Sequence, residues 1–110
     1  MSPPSNKVSD LIAEQRLVAI LRLGDLSHAV QLSRALLAAG VKVQEYTLSN
    51  PNALVAVKQV IDEIPEFRSG EATIGIGSVR RIDQVSQAIE AGAQFVVTPV
   101  LVEGVVAACL

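Results

Sequence analysis

Apolar positions recur in this chain in two alternating rhythms. Short continuous apolar runs read as buried strands, and longer stretches with apolar residues three and four apart read as helices. The clearest helical period is Ala53, Leu54, Val57, Val60, Ile61 and Ile64, ended by Pro65. Before it, residues 8–15 read as a short helix with Leu11 and Ile12 on its apolar side. Residues 17–21 form the first strand, closing at Arg22, and Gly24-Asp25 is a turn. A helix over 27–39 carries Ala29, Val30, Leu32, Ser33, Leu36 and Leu37, and Gly40 stops it in the left-handed position. The second strand is 43–48, followed by Asn50 as N-cap and Pro51 at the first helical position. After the periodic helix, 67–71 reads as a loop and 72–76 as a third strand that closes on Gly75-Ile76-Gly77-Ser78. Ile82, Val85, Ala88 and Ile89 mark the next helix, stopped by Gly92. Residues 94–97 form a fourth strand ending at Thr98-Pro99, and Leu101, Val102, Val105, Val106 and Cys109 open a final helix.

Strands and helices thus alternate four times. That order predicts an α/β fold with a parallel sheet and right-handed crossovers. The expected architecture is a parallel (βα)4 half-barrel, corresponding to the first half of a (βα)8 barrel. Residues 1–7 read as a flexible tail and 8–110 as one domain. Two copies of one local pattern support the repeat: Ala39-Gly40-Val41 and Ala91-Gly92-Ala93 each close a helix and open an apolar strand. An open parallel sheet of this size has two bare edges and too few helices for both faces, so self-association as a homo-oligomer is expected.

Composition narrows the partners. Half of the 110 residues are apolar, which suits a parallel sheet wrapped by helices. A net charge of −2 gives no reason to expect nucleic acid or an anionic membrane surface. The aromatics are Tyr46, Phe67 and Phe95, too few for stacking bases. The single Cys109 has no partner for an internal disulfide, the start lacks the apolar core of a signal peptide, and no apolar run is long enough to span a bilayer. A cytoplasmic location is the expectation that remains, with no cofactor and no metal.

The candidate chemistry gathers at strand ends. Glu45, Thr47 and Ser49 fall on one side of the second strand's pleat, near its carboxyl end, where α/β proteins bind ligands. A carboxylate among apolar strand residues is tuned toward neutral pH as a general acid or base. The other reading of Glu45 is a glutamate on a sheet edge, wet or paired with Arg22. Arg22 can hold a carboxylate or phosphate bidentately, or be a surface arginine at a strand end. Gly75-Ile76-Gly77-Ser78-Val79-Arg80 is not a dinucleotide fingerprint, because Arg80 stands where the third glycine belongs. Its glycines are expected to let the backbone approach a small ligand, with Ser78 hydrogen-bonding it. Arg80-Arg81 reads as a solvated basic pair, and His28 as a surface or capping residue. Thr98 and Pro99 end the fourth strand with one more small polar group.

These segments together resemble the N-terminal half of the 2-keto-3-deoxy-6-phosphogluconate / 4-hydroxy-2-oxoglutarate aldolase family. Val18-Ala19-Ile20-Leu21-Arg22 is similar to its first strand. The stretch from Ala38 to Leu48 is similar to the second, with Glu45-Tyr46-Thr47 as its Glu-x-Thr. Ile74-Gly75-Ile76-Gly77-Ser78-Val79 resembles its glycine turn, and the run from Glu90 to Pro99 its fourth strand. The resemblance implies a (βα)8-barrel lyase that makes and breaks carbon–carbon bonds through a lysine Schiff base. Its substrate is a small keto acid or phosphorylated sugar acid. It places proton shuttling on Glu45, the substrate's anionic end on Arg22, and the pyruvyl carboxylate on Ser78. Two departures stand out within the match: Val100 replaces a glycine after Thr98-Pro99, and Ile76 is larger than the usual alanine, crowding the ligand side. The family's second half, with its lysine, is missing from these residues. The lysines present are Lys7 in the tail, Lys42 at the amino end of the second strand and Lys58 in mid-helix. The chain alone is therefore expected to be inactive. The alternative is a non-catalytic half-barrel that self-associates as a structural or small-anion-binding module.

Overall fold

The computed structural model describes residues 7–99, 101 and 103–110. Three strands form one parallel sheet in the order β1-β2-β3: β1 is Ala19–Leu21, β2 is Val43–Thr47 and β3 is Thr73–Gly77. The helices are α1 (Lys7–Gln15), α2 (Ala29–Ala38), α3 (Ala53–Glu63), α4 (Glu66–Ser69), α5 (Ile82–Glu90) and α6 (Glu103–Cys109). Consecutive strand order requires a crossover between each pair of neighbours, and one hand for all crossovers places their helices on the same face. On that face Leu21, Tyr46 and Ile76 stand side by side in register. They bury against Ala29 of α2, against Ala53, Val57 and Val60 of α3, and against Phe67.

Local chemistry explains most boundaries. Gly40 and Gly92 follow α2 and α5 with φ of 93°, the left-handed geometry that ends a helix without a Cβ penalty. The Gly24-Asp25 turn is closed by the Ser27 N–H donating to Asp25 Oδ1 at 2.8 Å. At α5, Gln84 Oε1 accepts from the Arg80 and Arg81 N–H groups at 2.7 and 3.1 Å. The Arg81 side chain pairs with Asp83 in solvent.

The structure corrects the sequence reading in five places. Lys7 is the first residue of α1, so the expected tail ends before it, and its other residues lie outside the described ones. The first strand is shorter, and Leu17 lies outside it, 57% exposed. Asn50 does not cap α3, which begins at Ala53 with Asn52 in the cap position. Asn50 Oδ1 instead accepts from the Asn52 N–H at 2.9 Å, while its amide donates to the Leu23 and Gly24 carbonyls. An asparagine-led turn forms because that side chain ties down the β1–α2 loop. The loop expected at 67–71 contains α4, which turns Phe67 into the core at zero exposure and ends at Gly70, φ 92°. The expected fourth strand is reduced to one parallel bridge, Ile76 to Val96. The flanking bonds are those of a strand, with Ile76 N donating to Phe95 O and Val97 N to Ile76 O. Val100 and Val102 lie outside the described residues. No helix among the described residues is long and apolar enough to cross a membrane.

One buried polar triplet locks β2 to α2. The Tyr46 hydroxyl donates to the Ala29 carbonyl at 3.1 Å, and its single proton is then used. Ser33 must therefore donate to Tyr46 across their 2.5 Å contact. Gln44 adds a bond from Nε2 to the Ser33 carbonyl at 3.1 Å. Tyr46→Phe removes both of the tyrosine's hydrogen bonds in a dry core. It should lower unfolding free energy by about 1–3 kcal/mol, read from urea denaturation.

Candidate active site

The other face of β2 presents Val43, Glu45 and Thr47, because alternate residues point to opposite sides. In register with Glu45 stand Ile20 on β1 and Gly75 on β3, and Thr47 stands beside Gly77. Glu45 is only 4% exposed, an unusual state for a carboxylate. Two glycines of β3 make room on this face. Gly77 has no side chain, and a Cβ built there would overlap the Glu45 carboxylate, with Cδ 2.5 Å away. Gly75 is covered in the same way by Phe95, whose ring carbons lie 2.5 Å from where a Cβ would stand. The glycines therefore make room for two protein side chains, whereas the sequence suggested room for a ligand.

At the carboxyl end of β1, Arg22 reaches back toward this carboxylate and toward Ser78. Its Nη2 lies 3.5 Å from Ser78 Oγ, a long contact across the gap between β1 and β3. Ser78 adopts φ of 61°, a left-handed conformation that non-glycine residues seldom take. Two bonds hold it there: Leu48 N–H donates to Gly77 O at 3.0 Å, and Val79 N–H to Val97 O at 3.1 Å. Sequence reading found the serine but not its strained backbone, which no residue type announces.

Thr47 and Ser49 share a hydrogen bond of 2.6 Å between their hydroxyls. Thr47 is buried and Ser49 exposed, so the pair runs from the sheet to the rim. Thr98 and Pro99 follow the Val96 bridge on the same rim, with Pro99 exposed. Ile76 does not crowd this side. It pairs with Tyr46 on the helix-covered face and is fully buried there, because its position in β3 is out of phase with Gly75 and Gly77. Phe95 is the residue sequence reasoning missed, since its ring position depends on the pairing of 94–97 with β3. His28 occupies the residue before α2 and makes no side-chain capping bond. Among the described residues, no cluster of His, Cys, Asp and Glu could hold a metal.

Desolvation raises the Glu45 pKa above the ordinary glutamate value, and the Arg22 charge opposes it more weakly. A buried carboxylate with an arginine and a hydroxyl at its mouth can exchange a proton with a small anion. A sequence profile for the KDPG and KHG aldolases matches residues 8–110. The chain belongs to the KDPG and KHG aldolase family. It is 38% identical over 86 residues to the KHG/KDPG aldolase of Escherichia coli K12, covering 78% of this chain and 38% of that one. The KDPG aldolase of Legionella pneumophila, solved with pyruvate captured as a covalent carbinolamine intermediate, superposes with a TM-score of 0.73. It is 30% identical, and the match covers 83% of this chain and 42% of that one. The Zymomonas mobilis ZM4 aldolase, solved with 3-phosphoglycerate, gives a TM-score of 0.69 at 36% identity, covering 84% and 43% of the two chains. The chain thus spans about two fifths of the length of these relatives. The α/β fold with its parallel three-stranded sheet is the fold it shares with these aldolases.

The raised Glu45 pKa fixes a sign. The folded state prefers the neutral acid, so Glu45 favours folding fully below its unfolded pKa, and that contribution is lost as pH rises through its folded value. Glu45→Gln should therefore remove a stability loss that sets in above pH 4.5. Wild type and variant should run parallel below that pH and diverge above it, with the variant the more stable. Urea unfolding across pH checks this, and parallel curves throughout would show that Arg22 cancels the burial.

Proposed function

We propose that this chain carries the proton-transfer and anion-binding side of a pyruvate-type, Schiff-base aldolase site. By resemblance the reaction is cleavage of 2-keto-3-deoxy-6-phosphogluconate or 4-hydroxy-2-oxoglutarate to pyruvate and an aldehyde, and relatives of this chain are named KHG/KDPG aldolases. The observation that carries the reading is the buried Glu45 carboxylate with Arg22 and Ser78 at its mouth. The carbinolamine in the Legionella relative supports it, since that adduct forms when an amine adds to a keto carbon. In this assignment Arg22 and Ser78 hold the carboxylate of a keto acid. Thr47, Ser49, Thr98 and Pro99 line the rim. Glu45 moves the proton that carbinolamine collapse and carbon–carbon cleavage each require.

No lysine of this chain is placed to be the amine. Lys58 lies on α3, where it faces Asp62 at 3.5 Å with 64% of its side chain exposed. Lys42 precedes β2 at the amino end of the sheet, beside Arg34, Glu66 and Glu71. Lys7 opens α1. By this reading the chain alone binds a keto acid and does not turn it over. Titrating pyruvate into the labelled chain should shift the amide resonances of Arg22, Gly77 and Ser78, and Arg22→Ala should abolish those shifts. Borohydride added with pyruvate should leave the mass unchanged. Shifts elsewhere, or a stoichiometric lysine adduct, would overturn the assignment.

The expected architecture, a (βα)4 half-barrel, accords with a three-strand sheet extended by the Val96 bridge. Its far face leaves Ile20 60% exposed on β1, which is an edge strand among the described residues. Apolar surface left wet costs about 25 cal/mol per Å2. Two copies that cover each other's faces recover that cost, so the chain is expected to self-associate. Sedimentation should give a species heavier than the 11.6 kDa protomer. A dilution-resistant monomer that binds no hydrophobic dye would rule this out.

A further inference from the structure

We infer that Gly77 is a positioning residue: the empty place of its side chain is the seat of the Glu45 carboxylate. The inference rests on the reading of Glu45 as the proton-transfer group. Gly77 lies in β3 with no left-handed φ, so nothing in its backbone demands glycine. In a strand interior glycine is unfavourable, because it packs nothing and loses much freedom on folding. What it supplies at this point is space. A Cβ there would overlap the Glu45 carboxylate, 2.5 Å from Cδ, closer than carbon atoms approach, and would sit tightly at 3.1 Å from Cγ.

The backbone cannot give way to admit that Cβ. Gly77 O is held by the Leu48 N–H, and Val97 O holds the Val79 N–H two residues on. Gly77 is also paired with Thr47 along the ladder. The carboxylate would have to leave instead, away from β3 and into water. Gly75, two residues earlier on the same face, does a like service for a different group, because its missing Cβ admits the Phe95 ring and the Phe95 carbonyl, 2.6 Å from where a Cβ would stand. The two glycines are therefore not interchangeable. Gly77 seats the acid, and Gly75 seats Phe95. Arg22 is the charged group that faces Glu45.

The test is a carboxyl-carbon NMR titration of Glu45 in the whole chain, in wild type, Gly77→Ala and Gly75→Ala. In wild type the midpoint should lie above 4.5. In Gly77→Ala it should fall to that ordinary value as the carboxylate reaches water. In Gly75→Ala the Phe95 ring resonances should move, and Glu45 should stay nearer wild type. An unchanged Glu45 midpoint in Gly77→Ala overturns the inference. If that variant folds poorly, a cycle with Glu45→Ala decides. Losing the Glu45 side chain should restore most of the stability that Gly77→Ala removes, while additive losses overturn the inference. None of these measurements reads keto-acid binding. A chain that fails to bind pyruvate but shows the Glu45 shift would count against the proposed function alone.

Discussion

A parallel sheet in consecutive order cannot treat its two faces alike. Each crossover must return the chain to the amino end, and a single hand sends every crossover helix to the same side. From that constraint comes the division in this molecule. Leu21, Tyr46 and Ile76 meet helices and form a dry apolar layer. Ile20, Glu45 and Gly75, one residue earlier on each strand, face the other way. The apolar core and the candidate site are thus two sides of the same few residues.

The second face is where the chain tolerates conflicts. A carboxylate is buried there, glycines interrupt a strand, and Ser78 sits at positive φ. Each is unfavourable on its own, and together they are mutually consistent. The glycines make the burial of Glu45 and the seating of Phe95 sterically allowed. The strained serine turns its hydroxyl toward Arg22. Strain of this kind persists where surrounding bonds over-determine it, as the bonds at Gly77 and Val79 do here. Under the proposed function these conflicts share one purpose, to keep a carboxylate desolvated beside Arg22 and Ser78.

Much of this was legible in the residues. The alternation of strand and helix, the left-handed stops at Gly40 and Gly92, and the exposure of Lys58 follow from spacing and local backbone preference. For Glu45 the residues left two readings open, buried or wet on a sheet edge, and the place of β2 between β1 and β3 decided for burial. Family membership was legible because four motifs keep their order along the chain. These are short-range properties, and a linear pattern carries them.

The tertiary structure decided whatever depends on which segments meet. Asn50 was expected at a helix cap and became a clamp on the β1–α2 loop, because Leu23 and Gly24 lie within its reach only after β1 and β2 pair. Ile76 was assigned to the ligand side and points to the core, since the phase of β3 is set by its register with β2. Phe67 looked like a loop residue until α4 folded it under the sheet. Phe95 and Gly75 touch across twenty positions of sequence, as do Glu45 and Gly77 across thirty-two. The sequence by itself determined the alternation of strand and helix and the family. Only the packed sheet decided what fills the space left by the glycines, because a missing side chain has no meaning until a neighbouring strand supplies the group that occupies its place.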